Sequence, residues 1–234
     1  MKHTDITLIS VTYNTRDLIE TAINSINRHC GKQNMYIVDG SERNNDCYKY
    51  LEAMALGGDL RMYSAGYNIG HGHGLDLAIE RVQTPYALMF DSDIEILKNP
   101  IPEMLGLMDE ETYGVGWITE VGRDGYDYGT WAWHKKESPI KYLHPYFALV
   151  NIEMYHRFKP LCHHGAPFFK SMVDMHDKGE AWRLKAFKGL TGHTSGQGAN
   201  WIGTPSEYVR HDFGGTRKAN KAMGKKEIFG QWEK

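Results

Sequence analysis

The apolar positions of the first hundred residues alternate between short unbroken runs and longer stretches with helical spacing. Ile6-Thr7-Leu8-Ile9-Ser10-Val11 is rich in β-branched residues and reads as a strand. It gives way to Thr12-Tyr13-Asn14-Thr15-Arg16-Asp17, in which Asn14, Thr15 and Asp17 are each suited to cap a helix. Leu18, Ile19, Ala22, Ile23 and Ile26 then recur every three or four residues up to Cys30-Gly31, where glycine ends the helix. Residues 35–38 form a second apolar run, closed by Asp39-Gly40-Ser41. A second helix is expected from 46 through Leu51, Met54 and Leu56 to Gly57-Gly58, and a third strand over 60–63. This order of strand, helix, strand, helix, strand predicts right-handed crossovers and a parallel sheet.

Next comes the glycine-rich stretch Gly66-Tyr67-Asn68-Ile69-Gly70-His71-Gly72-His73-Gly74, read as a turn, with a helix over 75–82 after it. Glycines opening a helix let backbone N–H groups approach an anion. The spacing fits neither a dinucleotide fingerprint nor a P-loop. It equally suits a loop with a helix cap. His71 and His73 are taken as substrate contacts rather than a metal pair. Tyr86-Ala87-Leu88-Met89-Phe90 is apolar on successive residues and suits a strand buried on both faces. It breaks into Asp91-Ser92-Asp93. Residues i and i+2 of an extended chain point the same way. Two carboxylates at a strand's carboxyl end could thus converge on a hard divalent cation, which prefers oxygen ligands. By itself the motif fits two solvated aspartates as well.

Beyond Glu95 the pattern is looser. A turn over 97–102 leads to a helix over 101–108, a strand over 114–119, a turn over 121–125 and an aromatic-rich loop over 126–136. Further strands are expected over 142–150 and, as an edge strand, over 182–187. A short helix starts at 153, and a longer one lies within 166–179, with Phe169, Met172, Val173 and His176 as its inner stripe. Asp174 and Asp177 lie three apart on that helix and share a face. The end of the chain carries Tyr208 to Arg217 and a basic segment over 218–226. That segment reads as a solvated terminus or as a lid over a phosphate site.

At 234 residues the chain can bury a sizeable core, and one domain over 1–234 is expected. A net charge of −2 gives no global basic field, so no nucleic-acid partner is expected. Three widely spaced cysteines offer no disulfide framework and favour a reducing compartment. No apolar stretch is long enough for a signal peptide or a membrane span, so a soluble cytoplasmic protein is expected.

Taken in order, Val11-Thr12-Tyr13-Asn14, Val38-Asp39-Gly40-Ser41, Asn68-Ile69-Gly70 and strand-Asp91-Ser92-Asp93 resemble the nucleotide-sugar half of family 2 glycosyltransferases of the GT-A fold. The resemblance implies a Rossmann-like α/β fold, its mostly parallel central sheet flanked by helices on both faces. Residues 1–97 would bind the donor, 98–210 would hold acceptor and catalytic base, and 211–234 would be the basic tail. It places Thr12, Tyr13 and Asn14 at the base and ribose, and Asp39 on the base. Asn68, Gly70, His71, Asp91 and Ser92 would lie along the nucleotide. It implies Asp91, Asp93 and the late His211 as ligands of Mn2+ or Mg2+, and Thr216 and Arg217 as diphosphate contacts.

Inverting relatives carry an acidic residue on the helix facing the acceptor, often within Glu-Asp. Here Met172-Val173-Asp174 stands nearest, so Asp174 is the expected base, with Asp177 behind it. The activity implied is metal-dependent, inverting transfer from a nucleoside-diphosphate sugar, a UDP-sugar foremost, to a carbohydrate or other hydroxyl acceptor. Two alternatives remain: a non-catalytic glycan- or nucleotide-binding module on the same fold, and a nucleotidyltransferase. The second lacks its expected glycine-, Arg- and Lys-containing stretch after the first strand, where Thr12-Tyr13-Asn14-Thr15 stands.

Overall fold

A computed structural model describes residues 5–123, 139–162, 166–190 and 206–211. The expected alternation is present at the start. Strand β1 (Ile6–Thr12) is followed by α1 (Arg16–Cys30), β2 (Met35–Asp39), α2 (Asp46–Leu56) and β3 (Arg61–Ser64). Then come α3 (His71–Ile79), β4 (Tyr86–Phe90), β5 (Ile94–Ile96) and α4 (Ile101–Gly106). The later part holds β6 (Gly114–Val121), β7 (Ile140–Asn151), α5 (Ile152–Tyr155), α6 (Phe169–Asp177), β8 (Leu184–Ala186) and β9 (Val209–His211).

Among the described residues, seven strands form one sheet in the order β3-β2-β1-β4-β7-β6-β8. Strands β3, β2, β1 and β4 are mutually parallel, as predicted. Strand β7 then runs antiparallel to β4, β6 antiparallel to β7, and β8 parallel to β6. The sheet is therefore mostly parallel, with one reversed strand in its interior.

Helices cover both faces. The β4 side chains alternate between two cores, Leu88 and Phe90 into one, Ala87 and Met89 into the other. The first core takes Ile19, Ala22, Ile23 and Ile26 of α1 together with Leu51 of α2 and Met104 of α4. Each fully buried isoleucine contributes about 1.5–3 kcal/mol relative to exposure. The second core takes Leu75 and Ala78 of α3 and Met172 and Met175 of α6. The buried face of α6 is thus Ser171, Met172 and Met175. The expected stripe differs because Phe169, Val173 and His176 sit only on its flank, half-buried.

Two further differences position the site. Helix α3 begins at His71 rather than after the glycines, with Gly70 as its N-cap at φ 82°. Gly72 and Gly74 lie inside its first turn because the helix is pressed onto β1. A Cβ on Gly74 would stand 2.7 and 2.8 Å from the two γ-methyls of Val11. The other difference is a small second sheet, in which β5 and β9 pair antiparallel with Ile94 opposite His211. Neither short strand carries a periodicity long enough to announce itself.

Candidate functional site

The carboxyl ends of β1, β2 and β4 and the start of α3 meet at one edge of the sheet. Such an edge is where open α/β sheets place their ligands. Asp91 leaves β4 with its N–H donated to the Tyr146 carbonyl of β7 at 2.9 Å. The segment 91–93 is not extended. It turns between β4 and β5, and the turn, rather than the two-residue strand repeat, brings the carboxylates together.

Strand β9 delivers His211 to the same point. Its Nε2 lies 3.1 Å from Asp93 Oδ1 and 3.4 Å from Asp91 Oδ2. The imidazole is 7% exposed and stacks on the Tyr146 ring, centroids 4.7 Å apart. On the other side His71 Nε2 lies 3.2 Å from Asp91 Oδ1. Asp91 is thus bracketed by two histidines, one on each carboxylate oxygen. Burial alone would raise the Asp91 carboxyl, but His71 and His211 outweigh it and hold it well below the usual carboxylate range. Burial opposes charge on His211 too, yet Asp91 and Asp93 outweigh it and raise its pKa to about 9.

Asp91, Asp93 and His211 each offer a ligand atom, and these atoms lie within 4.8 Å of one another. Two carboxylate oxygens and one imidazole nitrogen, largely buried, suit a hard divalent cation that keeps further positions for substrate oxygens. In the chain alone, His211, its pKa raised by the two carboxylates, supplies positive charge where a cation would. The residues present therefore fit Mn2+ or Mg2+. His73, the other histidine of the glycine-rich stretch, is exposed and stands outside the group.

A second set of polar groups lies at the ends of β1 and β2. Thr12 and Asp39 are register partners there, and the Gly40 N–H donates to the Thr12 carbonyl at 2.9 Å. Asn14 takes a left-handed φ of 56°, a conformation asparagine tolerates better than most residues. Asn14 is 3% exposed, and neither its Oδ1 nor its Nδ2 has a hydrogen-bond partner among the described residues. Asp39 is fully buried, and among the described residues its Oδ2 also lacks one. Burial raises the Asp39 carboxyl, with hydrogen bonds from Ser41 pulling the other way. Gly40 matters here because a Cβ would stand 2.6 Å from the Tyr67 carbonyl oxygen and 3.3 Å from the Tyr13 ring. Asn68 is exposed and accepts the Gly70 N–H through Oδ1 at 3.1 Å.

The two helix aspartates are not among the residues of the metal group and have ion-pair partners of their own. Asp174 Oδ2 accepts from Lys178 Nζ at 3.0 Å, and the same ammonium reaches the Arg157 carbonyl at 3.1 Å. Asp177 pairs with Arg123 at 2.8 Å. Ser92 is buried between the two site aspartates. Thr216, Arg217, the aromatic loop over 126–136 and the basic segment over 218–226 lie outside the described residues.

The family model for glycosyl transferase family 2 matches residues 7–176, about three quarters of the chain. The chain belongs to glycosyl transferase family 2. This family member shares its fold with solved GT-A glycosyltransferases. One is the mannosyltransferase PcManGT from Pyrobaculum calidifontis in complex with GDP-Man and Mn2+. It has a TM-score of 0.55 and 17% identity, covering 82% of this chain and 55% of that one. TarS of S. aureus in complex with UDP-GlcNAc has a TM-score of 0.54 and 16% identity, over 80% of this chain and 57% of that one. A third is the glucosyl-3-phosphoglycerate synthase from Mycobacterium tuberculosis with Mn2+, UDP and glucosyl-3-phosphoglycerate. Its TM-score is 0.53 at 16% identity, over 77% and 68%. This family 2 chain thus spans little more than half the length of the first two. No curated protein matches it in sequence. No helix among the described residues is long and apolar enough to cross a membrane.

Proposed function

We propose that this chain transfers a sugar from a nucleoside-diphosphate sugar to a hydroxyl acceptor by a single, inverting displacement. The convergence of Asp91, Asp93 and His211 beside the unpartnered polar groups of Asn14 and Asp39 carries this reading. A metal group and a set of buried groups awaiting donors and acceptors occupy one sheet edge. That is the arrangement a nucleotide with a diphosphate requires.

Asp91, Asp93 and His211 would hold Mn2+ or Mg2+, and the cation would supply charge neutralisation to the diphosphate leaving group. Thr12, Tyr13, Asn14 and Asp39 receive base and ribose. Asn68, Gly70 and His71 line the diphosphate side, with His71 also steadying Asp91 at 3.2 Å. Ser92, buried between the two aspartates, would lie along the nucleotide with them. Thr216 and Arg217 add a charge-assisted contact to the diphosphate. Asp174 takes the proton of the attacking hydroxyl, a role worth about 10²–10⁴-fold for a well-placed base. Asp174 is favoured over Asp177 because it stands nearest the acidic position that inverting relatives carry, and its side chain is 17% exposed against 56%. The role requires Lys178 to release it when acceptor binds.

The decisive experiment incubates the protein with Mn2+ and a panel of UDP-, GDP- and dTDP-sugars and measures released nucleoside diphosphate, alongside Asp93→Ala. Release with at least one donor, lost in the variant, is expected. No release and no binding of any donor would sink the reading. A binding module without turnover would bind donor but release nothing.

A further inference from the structure

Tyr146 touches two members of the metal group with two different parts of the residue. Its carbonyl oxygen accepts the Asp91 N–H at 2.9 Å. Its ring lies against the His211 imidazole, with centroids 4.7 Å apart and planes 12° apart. The strand register explains how one residue does both. Strand β4 ends its pairing at Phe90, opposite Phe147, so Tyr146 stands just beyond that end. On its other edge β7 pairs Ala148 with Gly116 but Leu143 with Ile118, so residues 144–147 form a bulge. A bulge beside a site re-aims side chains that strict alternation would send elsewhere. Tyr146 and Phe147 are neighbours in the chain, yet both pack into the first core. The Tyr146 ring is 1% exposed and is held in turn by His144 at 5.3 Å and Trp117 at 6.2 Å.

We propose that Tyr146 is a positioning residue for the metal centre. Its ring fixes the plane of His211 so that Nε2 stays on the side of Asp91 and Asp93, while its carbonyl fixes the turn that carries Asp91. This rests on the reading of Asp91, Asp93 and His211 as metal ligands. The two devices are separable, because a substitution removes the ring and leaves the carbonyl. A histidine turns about its side-chain bonds, and its nitrogen serves a cation only when it points at the other ligands. Stacking holds that orientation before the cation arrives. Partners that orient a metal ligand are worth roughly 10–100-fold in metal affinity.

The test compares wild type, Tyr146→Phe and Tyr146→Leu, each with Mn2+ alone and with Mn2+ and UDP. Electron paramagnetic resonance of the unbound Mn2+ gives the affinity, and spin-echo modulation reports whether a nitrogen is bound to the ion. Wild type and Tyr146→Phe, which keeps the ring, should bind Mn2+ alike and show the nitrogen signal. In Tyr146→Leu the affinity should fall roughly 10–100-fold, and the nitrogen signal should fade in the Mn2+ that still binds. In a His211→Ala background Tyr146→Leu should cost nothing further, because the ligand it orients is gone. A merely structural tyrosine would weaken both backgrounds in proportion. Unchanged affinity and nitrogen signal in Tyr146→Leu, or an equal further loss beside His211→Ala, overturns this inference and leaves the metal reading standing. Tyr146→Met takes the place of Tyr146→Leu if circular dichroism shows the latter unfolded; if neither folds, the residue belongs to the core alone and the inference falls. No Mn2+ binding in the wild type, or binding without a nitrogen signal, removes His211 from the metal group and this inference with it.

Discussion

His211 is a buried imidazole held between two carboxylates, and its charge is tied to stability. Its pKa in the folded, metal-free chain is raised to about 9, above the ordinary value of about 6.5. A raised histidine contributes stability that is fully present below about pH 6.5 and is lost as pH rises through about 9. Thermal melts of EDTA-treated protein from pH 6 to 10 should show that loss, and His211→Gln should flatten it. An equal slope in both proteins would remove His211 from this role. Asp174→Asn is expected to lower transfer by at least about 100-fold while nucleotide binding stays unchanged, read by product formation and by calorimetry. If transfer survives, Asp177→Asn is the next variant. Asp39 and Asp91 were legible in the sequence because each closes an apolar run, and Asp93 because it follows Asp91 by two. The joint hold of His71 and His211 on Asp91 was not, since a histidine's neighbour is chosen by packing and not by its position in the chain. Tyr146 was passed over for the same reason: its two partners, Asp91 and His211, belong to different strand ends.

At the level of elements, α3 shows what a glycine does when it is buried. Gly74 lets the helix lie directly on Val11 of β1, and this close packing holds His71 at the level of Asp91. Gly74→Ala should destabilise the chain by about 1–3 kcal/mol through overpacking, measured by urea unfolding. In a Val11→Ala background the same change should cost less, because the two γ-methyls it meets are gone. Equal costs in both backgrounds would mean that the helix does not rest on Val11. The helix was expected four residues later because Gly70, His71, Gly72, His73 and Gly74 show no apolar period of their own. Burial against β1 overrides their weak helical propensity. Strands β5 and β9 were missed because three residues each carry no pattern, and their pairing spans more than a hundred positions.

For the whole molecule, ligand binding and stability are linked. If the donor and cation sites form one unit, UDP with Mn2+ at about 100 times the dissociation constant should add about 2.7 kcal/mol, a rise of roughly 5–10 °C in melting temperature. UDP alone should give much less, and His211→Ala should abolish the Mn2+-dependent part. A full shift without metal would argue that base and ribose contacts carry all of the binding. The sequence by itself determined the alternation of strands and helices, the parallel half of the sheet and the carboxylates at its edge. Local spacing encodes whether a segment is strand or helix, and an apolar run that breaks into polar residues marks a strand's end. The tertiary structure alone decided that β7 enters reversed beside β4, that β9 brings His211 to Asp91 and Asp93, and that Tyr146 touches both Asp91 and His211. Those are contacts between residues far apart in the chain, and they are chosen by which buried surfaces and polar groups can satisfy one another at once, a condition that no local period records.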